Sequence, residues 1–598
     1  MFLKRIRVAK DGKSHTYWAL VKSVRTARGP RHQVVAYLGE LQSGHQAGWA
    51  EVARILDHRP EPGHPLFHSA EPEEVVPEKV EVRVGEARVE RTRDFGDAYL
   101  GLVLWRALQM DRLLETLLPP QREDVPWPLV AAILTLARFC EPSGELHIAD
   151  TWYQRTALDD LLGVAPEEVN KDRLYRAHPR LLIHKAAIEK HLKERFTTLF
   201  DAQYELMFYD ITSTYFEGLA QANPQAQRGY SRDKRPDCKQ VCIGLVVTQE
   251  GLPVAYEVFD GNRNDATTLE EVVAVMEQRY GQARRIWVLD RGMVHEDNLA
   301  YLRRRGGLYI VGTPKSMLRL YEQALLEKGW TEVQEGVEVK LCPGPDGQET
   351  FVLCRSAARR EKEKAMHGRF ERHIEEDLTK LAGRLDRARA RPDRSQVERQ
   401  IGRILGRNSR AAGLFEIKVE AIARGGQDGF LKLTWTKRPE WREWAERSDG
   451  CYLLRTNLTG WTAETLWTTY IQLTQAESAF RTQKRELHLR PIWHHDQDHV
   501  QAHILFSFLA YAMWKTLEQW MSRSGLGHGP RPVIEELARI KTHDVVLPTS
   551  TNREVRIRCV TMPDTSQRIL LGRLGLELPK RLGKPRWACA RIECSQNF

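Results

Sequence analysis

The chain has 598 residues, with 90 Lys and Arg against 80 Asp and Glu, and a formal net charge of +10. Hydrophobic residues make up 42% and charged residues 28%, which excludes a mostly disordered chain, a collagen-like chain and a small disulfide-rich scaffold. The length predicts several domains, since a domain commonly holds about 100–200 residues. The basic surplus is evidence for a polyanionic partner only where it is localised.

Neither the N-terminal residues nor the longest apolar stretches predict export or membrane insertion. The N-terminal residues 1–8 (MFLKRIRV) lack the apolar core of a signal peptide. The longest apolar stretches, near 129–137 and 504–513, are too short to span a bilayer. The nine cysteines form no C-x-x-C pair and no zinc-binding spacing. We therefore predict a cytoplasmic protein with reduced thiols.

The N-terminal part predicts a β-rich segment followed by a linker. Alternating apolar and polar residues at 15–21 and 33–38 indicate two strands around a Gly-Pro turn, and a short helix is expected at 48–56. Prolines scattered among Glu and His then resist packing. We place the β-rich segment at 1–56 and the linker at 57–92.

Leucines at helical spacing from about residue 100 onward predict a helical domain over 93–200. Whether it contacts DNA or only packs against the rest of the chain stays open at this point. From 205 the pattern changes to strands, at 206–212, 241–247 and 254–259. A helix at 265–280, a strand at 286–290, a helix at 298–305 and a strand at 308–311 follow.

This β-β-β-α-β-α-β order predicts an α/β fold, a ribonuclease-H-like catalytic core with a mixed five-stranded sheet, flanking helices and central first and fourth strands. We assign its first part to 201–312, an insertion domain to 313–450 and its second part to 451–521. The remainder, 522–598, is a candidate dimerisation region. Within the insertion, 355–410 holds 17 Lys and Arg against 9 Asp and Glu, so most of the basic surplus lies there.

Three carboxylates carry the predicted chemistry. Asp210 and Asp290 end the first and fourth strands, so they lie on neighbouring strands about 4.8 Å apart. Glu477 lies on a helix expected to run from Thr462 to about 489. On that helix Tyr470, Leu473, Glu477 and Lys484 would form one stripe. Oxygen ligands of this kind suit Mg²⁺ or Mn²⁺.

These motifs resemble those of the DDE transposases of bacterial insertion sequences, in the IS4 group and its IS1634-like branch. Segment 208–218 (FYDITSTYFEG) resembles the first Asp motif, 261–269 (GNRNDATTL) a Gly-Asn-x-x-Asp stretch, and 288–293 (VLDRGM) the second Asp motif. The helix resembles the signature Y-x2-R-x3-E-x6-K, with Tyr470, Glu477 and Lys484 in place. Leu473 stands where the signature has Arg.

The resemblance implies an enzyme that cuts transposon ends and transfers the 3′-hydroxyl to target DNA in a cut-and-paste reaction. Two Mg²⁺ or Mn²⁺ ions would be held by Asp210, Asp290 and Glu477. DNA, as terminal inverted repeats and target, would be the partner of a homodimer in the synaptic complex. The predicted DNA-binding residues are Tyr470, Arg481, Lys484, Arg291 and Lys239.

Other residues have a less specific interpretation. Asp265 is expected to cap the helix that follows it, and each of Trp435, Trp441, Trp444 and Trp461 is more often a packing residue than a platform for a flipped base. The histidines at 494, 495, 499 and 503 match no metal motif and are interpreted as polar residues at a helix start. Two alternative functions stay open, a non-catalytic DNA-binding derivative of a transposase and an unrelated hydrolase with two carboxylates.

Overall fold

The computed structural model describes residues 2–10, 13–26, 29–39, 76–282, 284–424, 427–551 and 553–589. The chain divides into two compact units, Met1–Val80 and Glu81–Phe598. The helix predicted at 48–56 and the part of the predicted linker up to residue 75 lie outside the described residues. The two units are described separately below.

The first unit contains a three-stranded antiparallel sheet, β1 (Phe2–Lys10), β2 (Lys13–Thr26) and β3 (Gly29–Gly39), in the order β1-β2-β3. The prediction of two strands is therefore wrong in number. β1 pairs with β2 along its whole length, from Phe2 opposite Val21 to Lys10 opposite Lys13.

The second unit opens with a strand and a run of helices. The strand, β4 (Arg88–Asp94), begins inside the stretch predicted as a linker and ends two residues beyond it. Buried leucines at helical spacing, such as Leu100, Leu104 and Leu108, make the helices pack against one another. These helices are α1 (Gly96–Ala107), α2 (Met110–Leu117), α3 (Trp127–Cys140), α4 (Glu145–His147), α5 (Tyr153–Arg155), α6 (Leu158–Leu162), α7 (Lys171–Leu182) and α8 (Lys185–Phe200).

Next comes the central part of the sheet. Its elements are β5 (Leu206–Tyr215), β6 (Gln240–Val247), β7 (Pro253–Asp260), α9 (Leu269–Tyr280), β8 (Ile286–Leu289), α10 (Glu296–Arg304) and β9 (Leu308–Gly312). As predicted, the first three strands are antiparallel neighbours and β5 lies beside β8. β5, β8 and β9 run parallel, so the carboxyl ends of these three strands share one edge of the sheet.

The region after β9 alternates strands with long helices. Its elements are α11 (Glu322–Leu326), β10 (Thr331–Gln334), β11 (Val337–Pro343), β12 (Thr350–Ser356), α12 (Ala357–Asp386), α13 (Arg394–Arg407), α14 (Ser409–Ala412), β13 (Phe415–Arg424), β14 (Gln427–Lys437), α15 (Pro439–Ser448) and β15 (Cys451–Thr456). β13 and β14 form a separate hairpin that packs with α12 and α13 around a small core. The basic stretch 355–410 is therefore largely helical.

Among the described residues the central sheet has nine strands, in the order β10-β11-β12-β15-β9-β8-β5-β6-β7. The prediction of a five-stranded sheet is thus wrong. β15 pairs antiparallel with β9, and β12 pairs with β15, so strands from the predicted insertion continue the sheet past its expected edge. Buried apolar residues on these strands, including Val352 and Leu454, favour that addition.

A further correction concerns the helix that carries Glu477. Instead of one helix to about 489, the structure has α16 (Ala463–Ile471), with Thr462 as its N-cap as predicted, and α17 (Thr474–Arg485). The amides of Gln472 and Leu473 bond to carbonyls three residues back, which tightens the turn and breaks the α-helical register. The predicted single stripe through Tyr470, Leu473, Glu477 and Lys484 is therefore wrong.

The last part of the chain packs against the start of the second unit, since β16 pairs with β4. It contains α18 (Gln497–Arg523), α19 (Pro530–Leu537), β16 (Lys541–Pro548), β17 (Arg553–Val560), α20 (Thr565–Leu574) and β18 (Arg586–Cys589). A four-stranded sheet has the order β18-β17-β16-β4. α18 is buried on most of its faces at the centre of the largest core. In the part of the chain that is described, no helix combines the length and apolar character needed to cross a membrane.

Candidate active site

The prediction that Asp210 ends the first strand is wrong, because β5 continues to Tyr215. Asp210 lies in the middle of that strand, between the buried Tyr209 and Ile211. It is itself partly buried, and its Oδ1 accepts a hydrogen bond of 2.8 Å from the amide of Ile211. Burial, followed by the charges of Asp290 and Glu477, raises the pKa of Asp210 to about 7, while Arg232 opposes the shift. The carboxylates are therefore close enough to repel one another.

Asp290 follows β8 directly and is exposed. Because β5 and β8 pair in parallel with Tyr209 opposite Leu289, Asp210 and Asp290 take corresponding positions on adjacent strands. After Asp290 the chain makes a tight turn over Arg291–Met293, which the amide of Met293 closes by bonding to the Asp290 carbonyl. The two strands therefore present both aspartates together, as the sequence predicted.

Glu477 lies in the first turn of α17 and is exposed. The opposite face of the helix buries Ala476, Ala479 and Phe480 in the large core, and α17 packs against β5 and β6. That packing brings the Glu477 charge near Asp210 although the two residues are far apart in sequence. The helix thus acts as the support for the third carboxylate.

Asp290 and Glu477 both contribute negative charge at the partly buried Asp210, and carboxylate oxygens are ligands that divalent cations accept. The ligand atoms of the three carboxylates do not all lie within 4.8 Å of one another. Among the described residues, the group whose ligand atoms all lie within 4.8 Å of one another is Glu145, His178 and His494, and not the three carboxylates.

An ion pair that was not predicted from the sequence lies beside these carboxylates. Arg232 Nη2 lies 2.5 Å from Asp265 Oδ1, and Asp265 Oδ2 would lie 3.8 Å from a Cβ built on Gly292. Asp265 is therefore not the predicted helix cap. Asn264 caps the short turn there, by accepting from the amide of Ala266. The signal was present in the sequence, as a basic loop and a Gly-Asn-x-x-Asp stretch.

A cavity of about 540 Å³ opens next to Asp290. Three cations and three aromatic side chains line it together with Asp290: Arg291, Lys315, Arg359, Tyr452, Trp467 and Tyr470. Burial and the charge of Asp290 both raise the pKa of Tyr470, so its hydroxyl stays protonated. The structure therefore brings two of the predicted DNA-binding residues, Arg291 and Tyr470, together beside the second Asp.

The other three predicted DNA-binding residues are more dispersed. Arg481 is exposed, one turn after Glu477 on the same helix. Lys484 is largely buried, and its Nζ lies 2.9 Å from Asp233 Oδ1. Lys239 is partly buried, and its carbonyl accepts from the amide of Phe216. Their roles toward DNA stay predictions.

The tryptophans considered as base platforms are all partly buried. Trp435 and Trp441 pack on the core of the β13–β14 hairpin, Trp444 on a cluster around Phe351, and Trp461 on the sheet. Their packing agrees with the interpretation as core residues.

The interpretation of the histidines as polar residues at a helix start is wrong for two of them. His494 and His503 are 8% and 5% exposed. His494 contacts Glu145, which also contacts His178. Local spacing could not reveal this cluster, since Glu145, His178 and His494 come from distant segments of the chain.

A family model described as a transposase DDE domain matches residues 202–513, which include all three carboxylates. The chain belongs to the DDE transposase family. A model described as the N-terminal domain of IS1634 family transposases matches residues 3–65, so this transposase is of the IS1634 type. Membership of the family implies dependence on a divalent metal ion.

The transposase matches no curated protein. Among solved structures, it is similar to a chain from a cryo-EM structure of the piggyBac transposase synaptic complex with hairpin DNA. The identity is 8% and the TM-score 0.34, over 76% of this chain and 82% of the other.

Proposed function

We propose that this transposase cuts DNA at the ends of an insertion sequence of the IS4 group and joins the released 3′-hydroxyl to target DNA, by cut-and-paste. The observation that carries the proposal is the parallel pairing of β5 with β8, which sets Asp210 beside Asp290, together with the Glu477 charge that Asp210 feels. The sheet around them is proposed to be a ribonuclease-H-like core that the nine-stranded sheet extends.

Asp210, Asp290 and Glu477 would hold two Mg²⁺ or Mn²⁺ ions. When bound, such ions supply an activated water and stabilise negative charge on the reacting phosphate. The protein provides the carboxylates, and their mutual repulsion favours a cation between them. It also supplies rigid supports, since two of the acids lie on or next to central strands and the third on a helix packed against the same sheet.

The reaction has two phosphoryl transfers. In the first, a water oxygen attacks the phosphorus at the transposon end, and the bond to the 3′ oxygen breaks to release a 3′-hydroxyl. In the second, that hydroxyl attacks a target phosphorus and displaces a target 3′ oxygen. Arg291 and Tyr470, which line the cavity beside Asp290, would bind phosphates of the end and orient it.

The DNA path would continue from this cavity. Arg481 is exposed on the Glu477 helix and would contact a phosphate, with Lys484 and Lys239 as further contacts. Helix α12 begins directly after Ser356 and contains Arg359, and both residues line the same cavity. Since α13 packs with α12, stretch 355–410 would face DNA. The synaptic complex would contain a homodimer, one protomer for each end.

A cleavage assay tests the proposal. The substrate is a labelled duplex made from the DNA that flanks this reading frame, incubated with Mg²⁺. Asp210→Asn, Asp290→Asn and Glu477→Gln should each abolish cleavage and leave binding of the duplex largely intact. Glu464→Gln, an exposed acid on the preceding helix, is the matched control and should cleave normally.

Two outcomes of this assay would contradict the proposal. Cleavage retained in any of the three variants would remove that carboxylate from the site. A wild-type protein that binds the duplex but never cuts it would favour the alternative, a DNA-binding derivative without catalysis.

A further inference from the structure

A second cluster of potential ligands lies in the helical part of the unit. Glu145 starts the short helix α4, His178 lies on α7, and His494 lies just before α18. All three side chains are buried, with exposed fractions of 5%, 0% and 8%. We call them the Glu145–His178–His494 cluster.

The distances within the cluster match those expected around a tetrahedral metal. His178 Nε2 and His494 Nε2 lie 3.2 and 3.4 Å from the same oxygen, Glu145 Oε1. Two ligands at the usual Zn–N and Zn–O lengths would lie about 3.3 Å apart at a tetrahedral angle. The ring centres of His178 and His494 are 5.2 Å apart, close to the about 5 Å that two imidazoles on one zinc ion require.

Within the described structure, the contact with Glu145 is the one polar contact found for the ring nitrogens of His178. His178 is fully buried, yet neither ring nitrogen makes a hydrogen bond within the described structure. An unsatisfied buried polar group is costly, on the order of 1–3 kcal/mol. A metal ion bound at Nε2 would satisfy the atom that now points at Glu145 without a hydrogen bond.

Two neighbouring groups, Arg138 and His503, have partners outside the cluster. Arg138 donates to the carbonyl of His488 and lies 3.2 Å from His503 Nδ1. His503 Nε2 lies 3.2 Å from the carbonyl of Leu489, so both nitrogens of that ring have partners. His503 is therefore not available as a ligand.

His499 is the nearest further donor. Its ring centre lies 5.3 Å from that of His178. Its Nδ1 lies 2.5 Å from Asp496 Oδ2, and its ring nitrogens lie outside the group of ligand atoms within 4.8 Å of one another. His499 therefore borders the cluster without belonging to it.

We propose that Glu145, His178 and His494 bind one Zn²⁺ ion. Imidazole and one carboxylate suit zinc and not the all-oxygen coordination of Mg²⁺. The ion would be structural, since all three of its protein ligands are buried. It joins α4 and α7 of the helical region to the segment between the Glu477 helix and α18, and so fixes that region against the catalytic core.

Metal analysis of the full-length protein tests this proposal. Protein from cells grown with added ZnCl₂ is dialysed and its metal content measured by mass spectrometry. We expect about one zinc per chain, reduced at least tenfold in His494→Ala and in Glu145→Gln. His495→Ala, the exposed neighbour, should keep its zinc.

Three further measurements test this site separately from the catalytic one. The triple variant Asp210→Asn, Asp290→Asn, Glu477→Gln should retain the zinc, because the proposed ligands are untouched. Chelation should lower the unfolding temperature of the wild type and leave that of His494→Ala unchanged. Co²⁺ added after chelation should give the strong visible absorption of tetrahedral cobalt.

Several results would overturn the proposal. One is wild-type protein that takes up no zinc at micromolar free Zn²⁺. Another is His494→Ala protein that binds as much zinc as the wild type. A third is zinc that disappears in the triple variant, which would place it at the catalytic carboxylates. Since Glu145→Gln keeps the side-chain size, circular dichroism can confirm that a loss of zinc is not a loss of fold.

Discussion

Lys484 Nζ lies 2.9 Å from Asp233 Oδ1, and the two side chains are only 9% and 3% exposed. Arg490 donates to the same carboxylate oxygen. Asp233 thus connects the basic loop after β5 to the helix that carries Glu477 and to the segment that follows it. An internal ion pair of this kind positions the third carboxylate by holding the end of its helix.

Asp233→Asn should destabilise the transposase by about 3–5 kcal/mol, because it leaves Lys484 and Arg490 without their shared negative partner. Urea unfolding followed by fluorescence measures the effect. Asp237→Asn is the matched control, since Asp237 is exposed and pairs with Arg235 on the same loop. Equal midpoints for the two variants would show that the buried ion pair does not support the fold.

Lys484→Ala should weaken end binding. It should also make the fall of log Kobs with log salt less steep by about 1, as for any lost phosphate contact. Arg481→Ala, on the exposed face of the same helix, should make that fall less steep by a similar amount. For Lys484 a phosphate must displace Asp233. An unchanged slope with reduced stability would therefore assign Lys484 to the ion pair alone.

The local features of the site could be predicted from the sequence. Asp210 and Asp290 each follow or lie in a short apolar strand, and that pattern depends on nearby residues only. The partners of Lys484 and His494 could not be predicted, because Asp233 and Glu145 are brought to them by the tertiary fold. Asp233 is 251 positions from Lys484 in the chain.

The number of strands in the sheet also could not be predicted from local sequence patterns. The five-stranded prediction ended the sheet with the strands up to β9, yet β15, which begins at Cys451, pairs with β9. Helices and a hairpin separate β9 from β15 in the sequence, so their pairing is not visible as a local pattern. Pairing over such a separation depends on which strand edge is left open in three dimensions, and no sequence window contains that information.

Asp210 should make metal-free stability depend on pH. Its pKa is raised from an ordinary value of 3.8 to about 7, so between these values the folded state keeps a proton that the unfolded state releases. The free energy of unfolding should therefore fall as pH rises from about 4 to about 7. In EDTA, Asp210→Asn should lack this loss and be roughly 1–4 kcal/mol more stable than the wild type at pH 8.

Denaturation curves at pH 4, 6 and 8 provide the test. Asp498→Asn, an exposed carboxylate on α18, should keep the wild-type profile. A constant difference between Asp210→Asn and wild type at all three values of pH would contradict a raised pKa at this position.

Gly312→Ala should disturb the cavity beside Asp290. A Cβ at residue 312 would lie 2.3 Å from the Tyr470 hydroxyl oxygen and 3.2 Å from its Cζ. The rigid ring must therefore move, at a cost of about 1–3 kcal/mol, and end cleavage should slow. Urea unfolding and the cleavage assay measure both effects.

Adding Tyr470→Phe to Gly312→Ala removes the clashing oxygen and should restore most of the stability, so the two changes should be strongly non-additive. Gly368→Ala on α12 is the control, since nothing lies within 4 Å of its Cβ position. That substitution should be neutral or slightly stabilising. Additive effects at Gly312 and Tyr470 would mean that their close approach has no energetic weight.

Leu473→Arg restores the residue of the family signature, yet it should impair this transposase. Leu473 is 7% exposed and belongs to the large core at the turn between α16 and α17. A guanidinium there would be buried without a partner, so the free energy of unfolding should fall by about 2–5 kcal/mol. Leu473→Met, a volume-conserving control, should cost less than about 1.5 kcal/mol. Urea unfolding distinguishes them, and a stable, more active Leu473→Arg protein would show that the turn can rearrange to present the arginine to DNA.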